Sequence, residues 1–462
     1  MIRSMYENFT NRIWGFLHFL YAVAGNSGTM TQRAPLSRKK SSYIRTVLFC
    51  FLFMCMIIIY NCNLYPGKNY FKYYNLMIVG VLLLIAFLSK EKEGKADKWT
   101  GSIARCFLMY WLWACVSDFV VLKRFQSVGV TMLLAVGLLF FILQYMEYPD
   151  DIFRDMMRAL ELLAAGGVIY NICFRLKYDG LLYNGYMNSA SDFGIFSAFL
   201  CLIFLVEIYE CQVKHDTGKK MGVFICGLAA AMLQTLISGK EIAIFYVGFM
   251  TAAALGWWLF AGSKNLTALE KRRMIWYLAF AAGAAALYYF AVKNVPWKLQ
   301  SMVQYKKETY ESRKDPSVIS ILAESGIGVY QNVKIHSWDQ QILIWKEYIR
   351  EINLFGHKLP GLRIMGRQQQ AQNQFLQIIF RYGIIAVIPY AAMFYRALKR
   401  AMKVLWDTRR HWKCTDLLAA GGFLFWWIVG FFGNIEYPYY QPIWLMAYLM
   451  LGRYMIENKQ TS

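Results

Sequence analysis

The stretch SWDQQILIWKEYIREINLFGHKLPGLRIMGRQQQAQNQFLQIIFRYG, residues 337–383, lies between two long blocks of apolar, membrane-spanning sequence. It begins with the spacing of an amphipathic helix, continues as a basic loop that contains glycine, and returns to the membrane behind Ala371–Leu376. A transporter seldom needs such a segment, whereas an enzyme that works at the membrane surface does. The stretch therefore predicts a polytopic membrane protein with an enzymatic segment outside the bilayer.

The rest of the chain has the composition of a membrane protein. It is 58% hydrophobic and 17% charged, with a mean hydropathy of +0.33, which is too apolar for a soluble domain of this length. Its apolar runs are continuous, so each span is expected to be a helix and not a barrel strand. The sequence predicts an all-α polytopic fold with about twelve transmembrane helices. The predicted spans are 44–64, 73–89, 103–122, 127–146, 159–174, 192–209, 222–238, 242–261, 275–292, 376–395, 415–433 and 440–456.

The basic residues of the short loops predict the orientation of these spans. With twelve spans, the clusters all fall on one side of the membrane, which is then the cytoplasmic side. We therefore expect both termini in the cytoplasm and the long segment 293–375, between the ninth and tenth spans, outside it. The clusters are the N-terminal arm, 90–98, 214–220, 264–273 and 399–413.

The sequence divides into two predicted parts. Residues 1–43 form a cytoplasmic arm, and residues 44–462 form a single transmembrane domain that includes the outer loop. Within the arm, residues 13–24 are apolar but too short to span; a surface-lying helix is the preferred interpretation and the core of a cleaved signal peptide is the alternative.

Charge and cysteine usage exclude several classes of function. The formal net charge of +22 is dispersed among membrane loops, which argues against nucleic-acid binding. Eight of the ten cysteines lie in predicted spans, and the chain has no CxxC motif or Cys/His cluster. Neither disulfides nor a structural zinc site is predicted, and no metal or cofactor is expected.

The outer loop contains a predicted helix over residues 337–356. Ser337 and Gln340 resemble a capping box at its start, and Gly356 is a candidate stop signal. Two interpretations account for this amphipathic helix equally well. It packs on the spans beneath it or lies in the headgroup zone, or it takes a direct part in catalysis. Its apolar side chains recur at steps of three and four and share one predicted face: Trp338, Ile342, Trp345, Ile349, Ile352 and Phe355.

Three polar groups of residues fall on the predicted outer side. The first comprises Asn353–Gly356, a basic loop and Ala371–Gln377. The second is Gly239-Lys240-Glu241, and the third runs from Arg175 to Asp192, with Asn188 between them. Each also has a purely structural explanation, as a helix stop, a tight turn or a helix cap. Their shared side is the stronger signal, because Arg and Lys together suit a lipid-linked phosphate or diphosphate.

The order and spacing of these groups resemble the O-antigen ligase and O-antigen (repeat-unit) polymerase family of bacterial membrane proteins. The resemblance covers roughly residues 170–450. It rests on Trp345, Asn353-Leu354-Phe355-Gly356, Ala371-Gln372-Asn373-Gln374-Phe375-Leu376, Gly383, Gly180 with Asn188, and Ser238-Gly239-Lys240.

The chain departs from the family pattern at three positions. Gln372 stands where the ligases have a histidine that is thought to act as base, and Gln341 stands where an arginine is common. Lys240 replaces a second arginine, so it keeps the charge without bidentate geometry. Glutamine orients a hydroxyl but takes no proton from it.

The resemblance implies a glycosyl transfer on the outer leaflet of the bacterial cytoplasmic membrane. The donor would be a polyprenyl-diphosphate-linked oligosaccharide and the acceptor a sugar hydroxyl, with inversion and without a metal. Further candidate partners are a flippase and a chain-length regulator. The candidate diphosphate-binding residues are Lys240, Arg175, Arg363 and Arg367. The candidate acceptor-orienting residues are Gln372 and Asn373, and the candidate bases are His336, Asp339, Glu324 and His357.

Three functions follow from this reading. Because the histidine is absent, a repeat-unit polymerase of capsule, exopolysaccharide or O-antigen synthesis is preferred over a ligase that transfers finished glycan to a different acceptor. A flippase for lipid-linked oligosaccharide is the alternative of another class. It would need charged residues along a path through the spans, and few occur there.

Overall fold

The helices account for almost all of the chain that the computed structural model describes. The described residues are 38–61, 77–82, 84–85, 88, 102–122, 149–173, 178–179, 182–183, 185–187, 190–214, 219–260, 272, 275–276, 279, 283, 338–357, 361–364, 367–406, 412–432 and 442–455. Their continuous helices, in chain order, are α1 (Arg38–Asn61), α2 (Ser102–Leu122), α3 (Pro149–Cys173), α4 (Ala190–Val213), α5 (Lys219–Ser238), α6 (Glu241–Phe260), α7 (Trp338–Arg350), α8 (Gln374–Tyr382), α9 (Ile384–Trp406), α10 (Cys414–Phe432) and α11 (Pro442–Met455).

Two short antiparallel hairpins qualify the all-α prediction. Strand β1 (Tyr178–Asp179) pairs with β2 (Leu182–Tyr183), and β3 (Leu362–Ile364) pairs with β4 (Arg367–Gln369). The second hairpin lies in the predicted basic loop, with Ile364 opposite Arg367. The fold is thus helical, and the strands only shape two loops.

Five of these helices are long and apolar enough to cross a membrane, among the residues described. Helix α4 is the central one, because nearly all of its side chains are buried in the protein. The protein is therefore a helical membrane protein, while the count of about twelve spans stays a prediction. Predicted span 127–146, most of 275–292 and nearly half of 73–89 lie outside the described residues. The five spans are Arg38–Ile58, Ser102–Val121, Ala190–Val213, Lys220–Ser238 and Cys414–Phe432.

The predicted span 376–395 was wrong as a single helix. The chain forms the short helix α8, turns at Gly383 with φ of +86°, and continues as α9. The break has a tertiary cause, because Gly383 lies directly against the backbone of Leu354. A continuous helix would not let those two backbones meet.

The predicted helix 337–356 is shorter than expected, and its buried face is different. Helix α7 ends at Arg350. The side chains it buries are Ile344 and Tyr348, which pack with Ala371 and Phe380. On the predicted face, by contrast, Ile349 is 55% exposed.

Helices α4 and α10 pack antiparallel, and this packing shows which segments lie at the same end of the bundle. At the start of α10 the Cys414 thiol donates to the Val206 carbonyl near the end of α4 (3.7 Å). Further along α10, the Phe425 ring contacts Phe199, nearer the start of α4, with centroids 5.2 Å apart. The start of α4 therefore lies level with the end of α10.

We call that level the site end. The start of α8 belongs to it, because the Asn373 side-chain amide donates to the Phe431 carbonyl at 3.1 Å. The turn between α5 and α6 belongs to it as well, since a Cβ on Gly194 would lie 3.0 Å from the Lys240 Cβ. Helices α4, α6 and α8 thus begin at the site end.

Ion pairs gather at the opposite, charged end, where α1, α3 and α10 begin and α11 ends. Arg45 and Asp155 form a buried pair at 2.7 Å between α1 and α3. Arg453 of α11 pairs with both Asp150 and Asp416, joining α3, α10 and α11. The charged end includes Lys214 and Lys413, from the predicted cytoplasmic clusters. That it faces the cytoplasm stays a prediction.

Candidate functional site

Two side chains of α7 hold the peptide that precedes Gln372. The Gln341 Nε2 and Trp345 Nε1 groups both donate to the Ala371 carbonyl, each at 2.9 Å. The Ala371 N–H donates to Gln377 Oε1 at 3.0 Å. Gln341 and Trp345 are four residues apart, so they lie on one face of α7. The loop helix α7 therefore fixes the Ala371 carbonyl, while Gln377 of α8 fixes its N–H.

Gln372 follows that fixed peptide in a left-handed conformation, with φ of 47°. It is the single non-glycine residue with positive φ in the part of the chain that the structure describes. Such a conformation costs a bulky residue roughly 1 kcal/mol or more, and such strain clusters at functional sites. The Gln372 side chain is half-buried. The surrounding hydrogen bonds hold it in this conformation.

Asn373 caps helix α8. Its Oδ1 accepts from the Leu376 N–H at 3.1 Å, and its Nδ2 donates to the Phe431 carbonyl at 3.1 Å. The side chain is only 7% exposed. Asn373 thus satisfies an orphan N–H of α8 and ties that helix to α10. To orient an acceptor, as predicted, the Asn373 side chain would have to give up one of these two internal hydrogen bonds.

The Asn353–Gly356 turn has its own internal hydrogen bonds. The Asn353 Oδ1 accepts from the Gly356 N–H, and Asn353 Nδ2 donates to the Gly356 carbonyl at 3.1 Å. Gly356 has φ of +82°, and a Cβ there would lie 2.7 Å from the Tyr382 nitrogen. The turn therefore needs glycine for both its conformation and its contact with α8.

Helix α2 holds this turn and the end of α8 together. The Ser117 hydroxyl donates to the Phe355 carbonyl, and the Trp113 Nε1 donates to the Tyr382 carbonyl at 3.0 Å. The Trp113 and Phe355 rings also stack, with centroids 5.6 Å apart. The predicted loop motif and the predicted return to the membrane are thus one assembled unit.

Asp118 of α2 is a site residue that the sequence reasoning missed. It is 6% exposed, and Arg381, which is 9% exposed, acts on it electrostatically. Asp118 is the sole acidic residue of α2, a mainly apolar helix. An acid inside a span is costly unless it is paired or faces a cavity, so this signal was available in the sequence.

The Ser238–Lys240 turn forms the second half of the site end. Ser238 is fully buried, its hydroxyl donates to the Thr235 carbonyl at 2.7 Å, and it accepts from the Lys240 N–H at 3.3 Å. Gly239 has φ of +64°. The Lys240 carbonyl accepts the N–H of Ile244, so Lys240 stands at the N-terminus of α6 (3.0 Å). Its side chain is half-buried.

The structure brings two of the predicted groups together at this turn. Gly194, two residues after Asp192 in the first turns of α4, lies against Ser238 and Lys240. A Cβ at Gly194 would collide with the Ser238 hydroxyl. The polar start of α4 and the Lys240 turn are therefore neighbours.

The remaining predicted site residues are less fully placed. Arg175, His336 and Glu324 lie outside the described residues. Asp339 is in the first turn of α7, and Arg363 and Arg367 lie on β3 and β4. For these three residues the structure gives only the position along the backbone.

His357, a further candidate base, is engaged inside the loop. Its Nε2 lies 2.6 Å from the Glu351 carbonyl oxygen, so Nε2 carries a proton in this arrangement. Its ring stacks on Phe380 with centroids 4.3 Å apart. His357 therefore anchors the loop to α8.

Gln374 is another residue that sequence reasoning left without a role. It is fully buried, and neither its Oε1 nor its Nε2 has a hydrogen-bond partner among the residues that the structure describes. An unsatisfied buried amide costs about 1–3 kcal/mol. It follows Gln372 and Asn373 directly, so the unsatisfied amide adds to the local strain of this segment.

A possible metal-ligand cluster lies elsewhere. Glu207, Glu210 and Cys414 place one ligand atom each within 4.8 Å of one another. The cluster is at the charged end, and Glu210 already pairs with Arg154 (2.9 Å) and Lys214. Ion pairing inside the protein therefore accounts for it.

Comparison with known proteins adds no assignment. No protein-family model matches the chain, and no curated protein matches it. The resemblance to the O-antigen ligase and polymerase family therefore rests on the residues and motifs quoted above.

Proposed function

We propose that this protein is a membrane glycosyltransferase that polymerises lipid-linked oligosaccharide repeat units. The observation that supports the proposal is that Gln372 and the Lys240 turn lie at the same end of the bundle. Gln372 is held in a strained conformation by Gln341 and Trp345. A residue held this way is preorganised to orient a bound group.

The reaction joins two lipid-linked glycans. A hydroxyl oxygen of the acceptor sugar attacks the anomeric carbon of the donor, and a new glycosidic C–O bond forms. The bond between that carbon and the diphosphate oxygen breaks, and the polyprenyl diphosphate leaves with the electron pair. The hydroxyl proton passes to solvent or to the leaving group, since Gln372 has no basic atom.

The leaving diphosphate carries charge that the site end is suited to stabilise. Lys240 supplies a cation at the N-terminus of α6, and the N-termini of α4 and α8 lie at the same end. Helix N-termini attract anions through free N–H groups and the helix dipole. The Lys240 ammonium therefore binds the diphosphate in this proposal. Arg175, Arg363 and Arg367 are its candidate helpers.

Gln372 orients the acceptor. In this proposal the side-chain amide of Gln372 contacts the acceptor. The neighbouring Asn373 amide is already bonded to the Leu376 N–H and the Phe431 carbonyl. An amide that accepts from the acceptor hydroxyl lowers the barrier by positioning it. A diphosphate is a good leaving group, so positioning and charge stabilisation carry the reaction.

The glycan that accumulates on lipid when the protein is removed from its host tests this function. The proposal predicts single repeat units on polyprenyl diphosphate, with no long chains. Finished polymer that stays on the lipid would instead identify a ligase. Repeat units confined to the cytoplasmic leaflet would identify a flippase.

A further inference from the structure

A large groove runs along the bundle between α3 and α5, from the charged end towards the site end. Its volume is about 1240 Å³, which exceeds the roughly 300–1,000 Å³ of a typical small-molecule pocket. It begins at the charged end beside Lys39, Lys40 and Arg158, and it extends along α5 to Gln234. The polymerase proposal makes no use of it.

The walls of the groove are apolar and open to the surroundings. Its lining includes apolar side chains that are more than half exposed, among them Leu162 at 59%, Ile169 at 60% and Val223 at 67%. In a membrane such side chains contact acyl chains. Small residues, including Ala165 and Ala230, leave the space between the two helices.

The depth of the groove matches one leaflet. From Arg158 to Ile169 the groove follows α3 for roughly 16 Å, at about 1.5 Å per residue. The hydrocarbon core is about 30 Å thick, so one leaflet is about 15 Å. The groove therefore accommodates the acyl chains of a lipid whose headgroup lies at the charged end.

Basic side chains surround the mouth of the groove and favour an anionic headgroup there. Lys39 and Lys40 are exposed in the first turn of α1, and Arg158 is exposed on α3 while it also donates to the Ser42 hydroxyl (3.1 Å). Basic pockets between membrane helices bind anionic headgroups. Within the groove, Glu161 is the one carboxylate among the lining residues, one turn inside the mouth.

We propose that this groove binds one anionic glycerophospholipid, its phosphate at Lys39, Lys40 and Arg158 and its acyl chains between α3 and α5. The lipid is a structural ligand and not the glycan donor, because the mouth is at the end opposite Lys240. The proposal stands independently of the polymerase function.

Lipid retention tests it. The full-length protein is extracted from nanodiscs of equal phosphatidylglycerol and phosphatidylcholine, and the lipid retained is identified by native mass spectrometry. We expect enrichment of phosphatidylglycerol. Each lysine near an anionic headgroup changes affinity about fivefold, so Lys39→Gln/Lys40→Gln weakens retention about 25-fold.

Two further variants separate the groove from general surface charge. Ala165→Trp fills the groove and is expected to lose the lipid with the mouth intact. Glu161→Gln removes the lining carboxylate and is expected to raise retention. The matched control is Lys399→Gln/Lys403→Gln, which removes two exposed lysines of α9 from the same end.

The outcomes decide the proposal. Retention of the two lipids in their starting ratio would overturn it, as would an equal loss in the Lys399→Gln/Lys403→Gln control. Retention that survives Ala165→Trp would remove the groove as the site. Displacement of phosphatidylglycerol by added polyprenyl phosphate at equal concentration would show that the occupant is a different lipid.

Discussion

Gly356 and Gly383 lie in two turns that pack backbone against backbone. A Cβ on Gly356 would lie 2.7 Å from the Tyr382 nitrogen, and a Cβ on Gly383 would lie 2.8 Å from the Phe355 nitrogen. The Ile384 N–H also donates to the Asn353 carbonyl at 3.0 Å. This contact makes the loop and the break between α8 and α9 one structural unit.

Gly383→Ala should therefore destabilise the protein strongly. Alanine at φ of +86° is strained and would also press on the Leu354 backbone, so we expect a loss of about 3 kcal/mol or more. Thermal unfolding in detergent measures it. The control is Gly248→Ala in α6, which meets no atom within 4 Å and should be neutral or stabilising by up to about 1 kcal/mol. Equal unfolding temperatures for the two variants would contradict the packing argument.

Gln372→Gly separates strain from function. Glycine adopts a φ of 47° without cost, so this variant should be as stable as the wild type or more stable by up to about 1 kcal/mol. Its rate of chain elongation should fall about 10²-fold, because the orienting amide is gone. Gln370→Gly, two residues earlier on the exposed side of the loop, is the control. Full activity of Gln372→Gly would remove Gln372 from the site.

Gln341 and Trp345 should behave as a coupled pair. Both donate to the Ala371 carbonyl, so losing one leaves the other in place and costs about 1 kcal/mol. Losing both leaves that carbonyl unsatisfied. A double-mutant cycle with Gln341→Leu and Trp345→Phe should therefore give a coupling energy of roughly 0.5 kcal/mol or more. Strict additivity would show that the two donors act separately.

The Asp150–Arg453 pair predicts a pH dependence at the charged end. Asp150 lies in the first turn of α3, before the predicted span. Burial raises the pKa of Asp150, but Arg453, Thr415 and Lys413 more than offset it and hold the pKa below its ordinary value. The folded state thus binds this proton less readily than the unfolded state, so the contribution to stability is present above about pH 4 and is lost as pH falls further.

Asp150→Asn should accordingly lower the unfolding temperature at neutral pH, and the difference from wild type should shrink as the pH falls below about 4. Asp151→Asn is the control, because its partner Arg38 is 61% exposed and exposed pairs contribute little. A difference that does not change with pH would contradict the assignment.

The sequence predicted the positions of the strongly apolar helices well. Predicted spans 103–122 and 415–433 correspond closely to α2 and α10. These helices are defined by local composition, which a hydropathy pattern measures directly. The loop residues Trp345, Ala371 and Gly383 also lie in one unit, although their contacts were not predicted from the sequence.

Features set by tertiary contact could not be predicted in the same way. The break at Gly383 depends on Leu354, which is distant in sequence, so the apolar run looked continuous. The face of α7 was wrong because Tyr348, a polar aromatic residue, is buried against Phe380, while the aliphatic Ile349 is exposed. The Gln341 contact with Ala371 had no local signal at all.

Chain elongation by the purified protein in detergent tests the central claim most directly. Given lipid-linked repeat units, the wild type should make longer lipid-linked glycans and release polyprenyl diphosphate. Lys240→Ala, which should insert and fold normally, should make none. Detergent removes any transport readout, so product formation reports catalysis alone. No elongation by the wild type, or wild-type chain lengths from Lys240→Ala, would contradict the account.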